Sequence, residues 1–263
     1  MTPRRLGAVS YLNTKPLVHG LERRPDLFTV RFDIPARCAD LLHEGQVDLG
    51  LIPAIEYLRG DYRIVPNLAI ASDGPIASVA MFTRVPIERV RTLALDASSR
   101  TSVALTRMLC AKRWQIAPIF STAPPDLGAM LAGADAALII GDLALDADAA
   151  EHGATKIDLG EEWGALTGLP FVYAMWTGRP GAASPAHCDA LRAARDEGLL
   201  NLTAIAEAAG EGDPVRAYQA LRYLRDNLRY GLGEAEAAGL RQFHQWAVEL
   251  NLMPALRPLR FYE

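Results

Sequence analysis

Short apolar runs alternate with segments of helical period through the first two thirds of the chain, and this alternation predicts an α/β protein with largely parallel sheets. Leu6-Gly7-Ala8-Val9 reads as a buried strand running into Ser10-Tyr11-Leu12-Asn13-Thr14-Lys15-Pro16-Leu17. A helix is predicted to start there, with Asn13 or Thr14 as N-cap and Pro16 in the first turn. Phe28 to Phe32 predicts a strand. Pro35 to Glu44 predicts a short helix ended by a left-handed Gly45, and Val47 to Ile52 a buried strand stopped by Pro53. Ile64 to Ala71 and Ser78 to Thr83 add two further strands. After Pro86 the alternation resumes, with strands over Thr92 to Leu95, Ile116 to Phe120, Ala136 to Ile140 and Lys156 to Leu159. Helices are predicted over Val103 to Lys112, over Pro125 to Leu131 and from Asp142.

The pattern changes after the last predicted strand, Phe171 to Trp176. Leu240, Phe243, Ala247 and Leu250 form a helical stripe, and Ala217, Leu221, Leu224 and Leu228 form another. They predict a three-helix tail packed on the first domain. The chain therefore divides into one domain made of residues 1–86 and 174–263 and a second of residues 87–173, joined by two crossings. Two crossings make a hinge, and a cleft between two α/β lobes is a natural seat for a small ligand.

Composition narrows the partners. Of 263 residues 50% are hydrophobic and 22% charged, a globular balance, and the net charge of −4 gives no reason to expect nucleic acid or an anionic membrane. No segment approaches the roughly 18 uninterrupted apolar residues of a membrane span. Cys38, Cys110 and Cys188 are far apart and match neither a metal-ligand spacing nor a disulfide framework. Met1 to Arg5 is too short for a signal peptide, so the expectation is a soluble cytoplasmic protein with three buried thiols. The sequence sets no oligomeric state.

In open α/β sheets ligands lie beyond the carboxyl ends of the strands. That rule selects Ser10 to Thr14, Pro53 with its neighbours, Ser98 to Ser102, and Gly141-Asp142, with Gly74 to Ser78 as a weaker fifth junction. Ser98-Ser99-Arg100-Thr101-Ser102 is the strongest. A helix needs one cap, and surplus hydroxyls at its start suggest a carboxylate or phosphate partner. Asp142 reads most simply as an N-cap. The five histidines (His19, His43, His152, His187, His244) fall in predicted helices or their flanks, most of them as solvated surface residues, and Glu161-Glu162 falls in an exposed loop. No GxSxG, P-loop, GxGxxG or HExxH pattern occurs.

Six segments together carry a resemblance: GAVSYLNTKPL at 7–17, GQVDLGLIP at 45–53, GPIASV at 74–79, LDASSRTSVAL at 95–105, ADAALIIGD at 134–142 and DLGEEWGALTGLPFVYAMW at 158–176. In order and spacing they resemble the chorismate dehydratases of the futalosine route to menaquinone. Single pieces such as GxVDLGLIP also occur in solute-binding proteins; the combination is far more specific. The resemblance implies the two-lobed type II fold of periplasmic binding proteins. It also implies removal of water from chorismate to give 3-[(1-carboxyvinyl)oxy]benzoate, with no metal or organic cofactor. Asn13 and Ser78 match the family's cleft positions and would orient the ring hydroxyl or the enolpyruvyl group. Ser10, Tyr11, Pro53, Ser98, Ser99, Arg100, Thr101, Ser102, Gly141 and Asp142 would bind the substrate, whose own enolpyruvyl carboxylate would take the proton. Two alternatives stay open: a cytoplasmic small-carboxylate-binding protein, and the paralogous 1,4-dihydroxy-6-naphthoate synthase, which is expected to use a cleft histidine.

Overall fold

Apolar runs too short for a buried helix become strands here, and the computed structural model, which describes residues 2–263, arranges them as two five-stranded sheets. The first lobe opens with β1 (Arg4–Val9), β2 (Phe28–Asp33), α1 (Pro35–His43), β3 (Leu49–Pro53) and β4 (Arg63–Ser72). The second lobe holds β5 (Val79–Thr83), β6 (Thr92–Asp96), α2 (Arg100–Lys112), β7 (Ile119–Ala123), α3 (Leu127–Gly133), β8 (Ala136–Ile140), α4 (Asp142–Asp146) and β9 (Thr155–Asp158). The chain returns through α5 (Leu159–Thr167) and β10 (Phe171–Gly178). It ends in α6 (Pro185–Leu200), α7 (Leu202–Gly210), α8 (Pro214–Arg222) and α9 (Glu234–Glu249). Sheet order is β2-β1-β3-β10-β4 in one lobe and β7-β6-β8-β5-β9 in the other.

Neither sheet is purely parallel. β10 runs antiparallel to β3 and β4, and β5 antiparallel to β8 and β9. Each of these two strands has just crossed from the opposite lobe, so it enters its sheet from the other end. Val79–Thr83 thus belongs to the second sheet, and the first crossing lies at 73–78, not near residue 86. The sequence misassigns it because all five residues are buried and carry no polar alternation that would tell one sheet from another. Pro86 caps a short turn inside the second lobe, over Ile87–Arg89.

Three local expectations change. Leu12–Val18 is a 3-10 helix whose N-cap is Tyr11, with no side-chain cap and Pro16 inside it. Pro16 has no N–H to give an α-turn, so the segment tightens and neither Asn13 nor Thr14 is spent as a cap. The Glu161-Glu162 segment is helical. Asp158 caps α5 by accepting the N–H groups of Gly160 and Glu161, and Glu162 accepts from Arg113 Nε and Trp114 Nε1, both at 3.0 Å. Finally, the tail has four α-helices, because Asn201 ends α6 and starts α7, and α8 runs into a π-turn at Tyr223–Asn227 that interrupts the second stripe.

Asp158 also accepts from Ile76 N at 3.1 Å and Ala77 N at 2.6 Å, so one carboxylate fastens both crossings. A continuous core runs through both lobes, from Leu6, Leu49 and Ile52 to Leu95, Leu105 and Leu138. Trp163 of α5 is fully buried against Phe171 and, edge-on, against Phe243 and Trp246 of α9. Each such side chain contributes about 1.5–3 kcal/mol when buried, which fixes the return crossing and the tail on the first lobe.

Candidate active site

Four strand ends and the first crossing meet between the lobes around a cavity with about 490 Å³ of atom-free space, its mouth included. β1 delivers Tyr11 and Asn13 through the 3-10 turn, β3 ends at Pro53, and the crossing supplies Ser78. From the second lobe β6 leads into Ser99 and Ser102, and β8 ends at Gly141. The walls between these polar groups are apolar, with Ile70, Ile76 and Ile140 among them. Among the described residues no lysine, arginine or histidine lines the space.

On the first-lobe wall the side chain of Asn13 accepts from Thr14 Oγ1 at 3.4 Å, which leaves its amide N–H groups for other partners. Ser78 Oγ accepts from the hydroxyl of Tyr223 at 2.7 Å, so its own proton remains free to be donated. On the opposite wall Ser99 is the N-cap of α2. Its Oγ accepts the Ser102 N–H at 3.3 Å and donates to Ser102 Oγ at 2.8 Å. The N–H groups of Arg100 and Thr101 meet no protein acceptor among the described residues. A 13-residue helix therefore turns its donor-rich, partially positive end on the cavity.

Several predicted site residues lie elsewhere. Arg100 points out of the cavity to Glu56 Oε2 at 3.1 Å and Asp40 Oδ1 at 2.7 Å. Thr101 Oγ1 accepts from Ile55 N at 3.2 Å, and the Ser98 carbonyl accepts from Ala36 N at 3.1 Å. Asp142 is the first residue of α4 and not its cap; Gly141 is. The Asp142 carboxylate accepts from Leu12 N at 3.1 Å across the cleft. Ser98 Oγ donates to Asp96 at 2.6 Å, and Ser10 faces an outer groove. Arg100, Thr101, Asp142 and Ser98 thus hold the lobes together around the cavity. The reason is positional: on a helix start only one face points into the cavity, and the side chains between Ser99 and Ser102 turn toward the neighbouring lobe.

A family model described as menaquinone biosynthesis matches residues 4–249. The chain belongs to that family. A chorismate dehydratase from Thermus thermophilus is 33% identical to it, over 98% of this chain and 100% of that protein. Among solved structures, a protein from Archaeoglobus fulgidus aligns over 96% of this chain and 99% of its own at 16% identity, with a TM-score of 0.78. The periplasmic aliphatic sulphonate binding protein of Escherichia coli aligns over 100% and 94%, at 19% identity and a TM-score of 0.68. These place the chain in the periplasmic-binding-protein fold.

In this family member, groups that the sequence did not single out complete the site. Tyr173 lines the cavity with its hydroxyl on Ser72 Oγ at 3.1 Å, and burial pushes its phenol well above the usual range. Tyr223, also deeply buried, stands behind Ser78. Both looked like ordinary core aromatics, and only the pairing of distant segments exposes them. Buried Asp96 accepts from Ser98 N, Ser98 Oγ and Ile140 N, which fixes its side chain at the end of β6 beside the start of α2. Glu56, 1% exposed, is met by His43, Arg59 and Arg100. Burial pushes its carboxyl up, but the hydrogen bonds from His43 and Arg59 and the charges of Arg100 and Arg59 outweigh that and hold it below the usual range. The histidines are not surface residues throughout. His187 and His244 are buried, His43 is held between Glu56 and Tyr62, and none reaches the cavity.

The arrangement suits a small anion recognised by neutral donors. It offers a helix end and the donor hydroxyl of Ser102 on one side, an amide and the donor hydroxyl of Ser78 on the other, and apolar walls for a ring.

Proposed function

We propose that this chain is a chorismate dehydratase, a hydro-lyase that removes water from chorismate to give 3-[(1-carboxyvinyl)oxy]benzoate for menaquinone synthesis. The observation that carries the reading is the full-length likeness to the Thermus thermophilus chorismate dehydratase. The cavity supports it. Chorismate presents a flat ring to the apolar walls and carboxylates to neutral donors. The three free, buried cysteines suit a reducing cytoplasm.

The ring carboxylate sits at the N-terminal end of α2, held by the Ser102 hydroxyl, which Ser99 supports, and by the free N–H groups of Arg100 and Thr101. The hydrogen to be lost is on the ring carbon that bears the enol ether, vinylogous to this carboxylate. As its C–H bond breaks, the electron pair spreads into the conjugated carboxylate, and fixed donors there gain strength as charge grows. Asn13 and Ser78 face the other side and orient the ring hydroxyl or the enolpyruvyl group. The neighbouring C–O bond then breaks, the hydroxyl leaves as water, and the ring becomes aromatic. With no histidine at the cavity, the enolpyruvyl carboxylate of the substrate takes the proton and passes it to the departing hydroxyl, so that the two leave together as water. Contact between the lobes excludes bulk water and lowers the local dielectric.

The test is incubation of the purified protein with chorismate and chromatographic detection of the aromatic enolpyruvyl ether. Its formation at a rate proportional to enzyme is the expected result. Chorismate retained unchanged means a binding protein, and no retention at all removes chorismate as the ligand.

A further inference from the structure

The π-turn at Tyr223–Asn227 touches the first crossing twice. Tyr223 donates its hydroxyl to Ser78 Oγ at 2.7 Å, and Asn227 Nδ2 donates to the carbonyl of Pro75 at 2.9 Å. One extra residue in a helical turn is costly and recurs where a side chain must be aimed, and here it aims a tyrosine at the back of the cavity. The crossing is itself held in an unusual shape. Ala77 stands in the left-handed region at φ 65°, directly before Ser78. Tyr223 is buried.

The hydrogen bonds around this hydroxyl run in one direction. Thr14 Oγ1 donates to Asn13 Oδ1, which leaves the Asn13 amide N–H groups free to donate beside the cavity. Tyr223 spends its only proton on Ser78 Oγ. Ser78 finds no protein acceptor among the described residues, so its O–H can point only into the cavity. A hydroxyl that already accepts a hydrogen bond is a stronger donor than an unsupported one.

We infer that Tyr223 is a positioning residue for dehydration: its hydroxyl fixes Ser78 as a hydrogen-bond donor to the departing oxygen of the substrate. This rests on the dehydratase reading. Tyr223 does not touch the substrate; it acts through Ser78. The alternative is that the tyrosine only fastens the crossing, as Asn227 does.

Steady-state kinetics on chorismate with Tyr223→Phe, Ser78→Ala and the double variant separate the two. Tyr223→Phe keeps the ring and removes the proton, so kcat is expected to fall about 10- to 100-fold while KM stays within about threefold, the mark of an interaction made in the transition state. The double variant is expected to match Ser78→Ala, because the tyrosine has no route to the substrate once Ser78 is gone. Tyr223→Phe within about twofold of the wild type in kcat, or losses that multiply in the double variant, would overturn the assignment. A fall in kcat that the wild-type turn recovers only through higher thermal stability, seen as equal rates at a low temperature where both proteins are folded, overturns it too. Should Tyr223→Phe fail to fold, the double variant, which removes both partners of the bond, carries the test against Ser78→Ala alone: equal kcat supports the role and a further loss refutes it. A wild-type protein inactive on chorismate sinks the dehydratase reading and this role together, whereas an active wild type with an equally active Tyr223→Phe sinks only the role.

Discussion

Asn13 and Ser78 are the residues on which the proposed chemistry turns, and their surroundings give different expectations for each. Removing a donor aimed at developing charge costs about 10²–10³-fold in kcat, and that range is expected for Asn13→Ala and Ser78→Ala on chorismate. Asn13 makes one long hydrogen bond to Thr14, so Asn13→Ala is expected to leave the melting temperature nearly unchanged. Ser78→Ala strands the buried hydroxyl of Tyr223 and is expected to cost about 1–3 kcal/mol of stability as well. Near-normal kcat in both variants, with the fold intact by circular dichroism, would remove these residues from the mechanism. Gly141 is a third residue-scale case. At φ 68° and ψ −150° it lies where only glycine is at ease, and a Cβ there would stand 3.0 Å from the Tyr11 ring across the cleft. Gly141→Ala is therefore expected to lower stability by about 1–3 kcal/mol. It is also expected to raise KM by holding the lobes apart, as read by thermal melts and steady-state kinetics.

At the scale of elements, the N-terminus of α2 joins stability to binding, and two variants of one position separate them. Ser99→Ala removes the cap and is expected to cost about 1 kcal/mol in urea unfolding. Ser99→Asp keeps a good cap and favours the helix dipole, so stability should hold, yet it puts a carboxylate where the substrate carboxylate is proposed to sit. KM for chorismate is expected to rise about tenfold or more, the effect of a like charge worth some 1.4 kcal/mol. An unchanged KM in Ser99→Asp places the carboxylate elsewhere. The surplus hydroxyls at 98–102 made this junction legible in advance, and the strand-end rule located Asn13, Pro53, Ser78 and Gly141 beside it. What local pattern could not convey was direction. Arg100 and Thr101 lie within the same motif but face Glu56 and Ile55, because helical rotation sends alternate positions to different walls. Nor could it convey sheet membership. Val79–Thr83 is a buried strand in any reading, and only pairing with Ala136–Ile140 and Thr155–Asp158 shows which lobe owns it. Tyr223 was hidden for a related reason, since its partner lies 145 positions away.

For the whole molecule, contact between the lobes and the tail that braces them set how stability depends on pH, and His244 reports it. The ring lies in the core between α9 and the Ala54–Arg59 turn, stacked on Tyr57 at 5.9 Å, with Nε2 donating to the Ala54 carbonyl at 3.0 Å and Nδ1 buried without a partner. Burial disfavours the imidazolium and lowers the pKa from 6.5 to about 4, although the Ala54 bond pulls slightly the other way. The unfolded chain then binds the proton more tightly than the folded one between these values. Stability from this residue is complete above about pH 6.5 and is lost as pH falls toward 4. The linkage amounts to about 2 kcal/mol between pH 7.5 and pH 5, and about 3 kcal/mol in full. His244→Gln keeps an amide donor for Ala54 and cannot titrate. In urea unfolding at the two pH values, the wild type is expected to lose about 2 kcal/mol more than His244→Gln, since every other titrating group is common to both proteins. Equal losses would mean that His244 opens to solvent in the folded protein, and with it the packing of α9 that seats the tail against the first lobe.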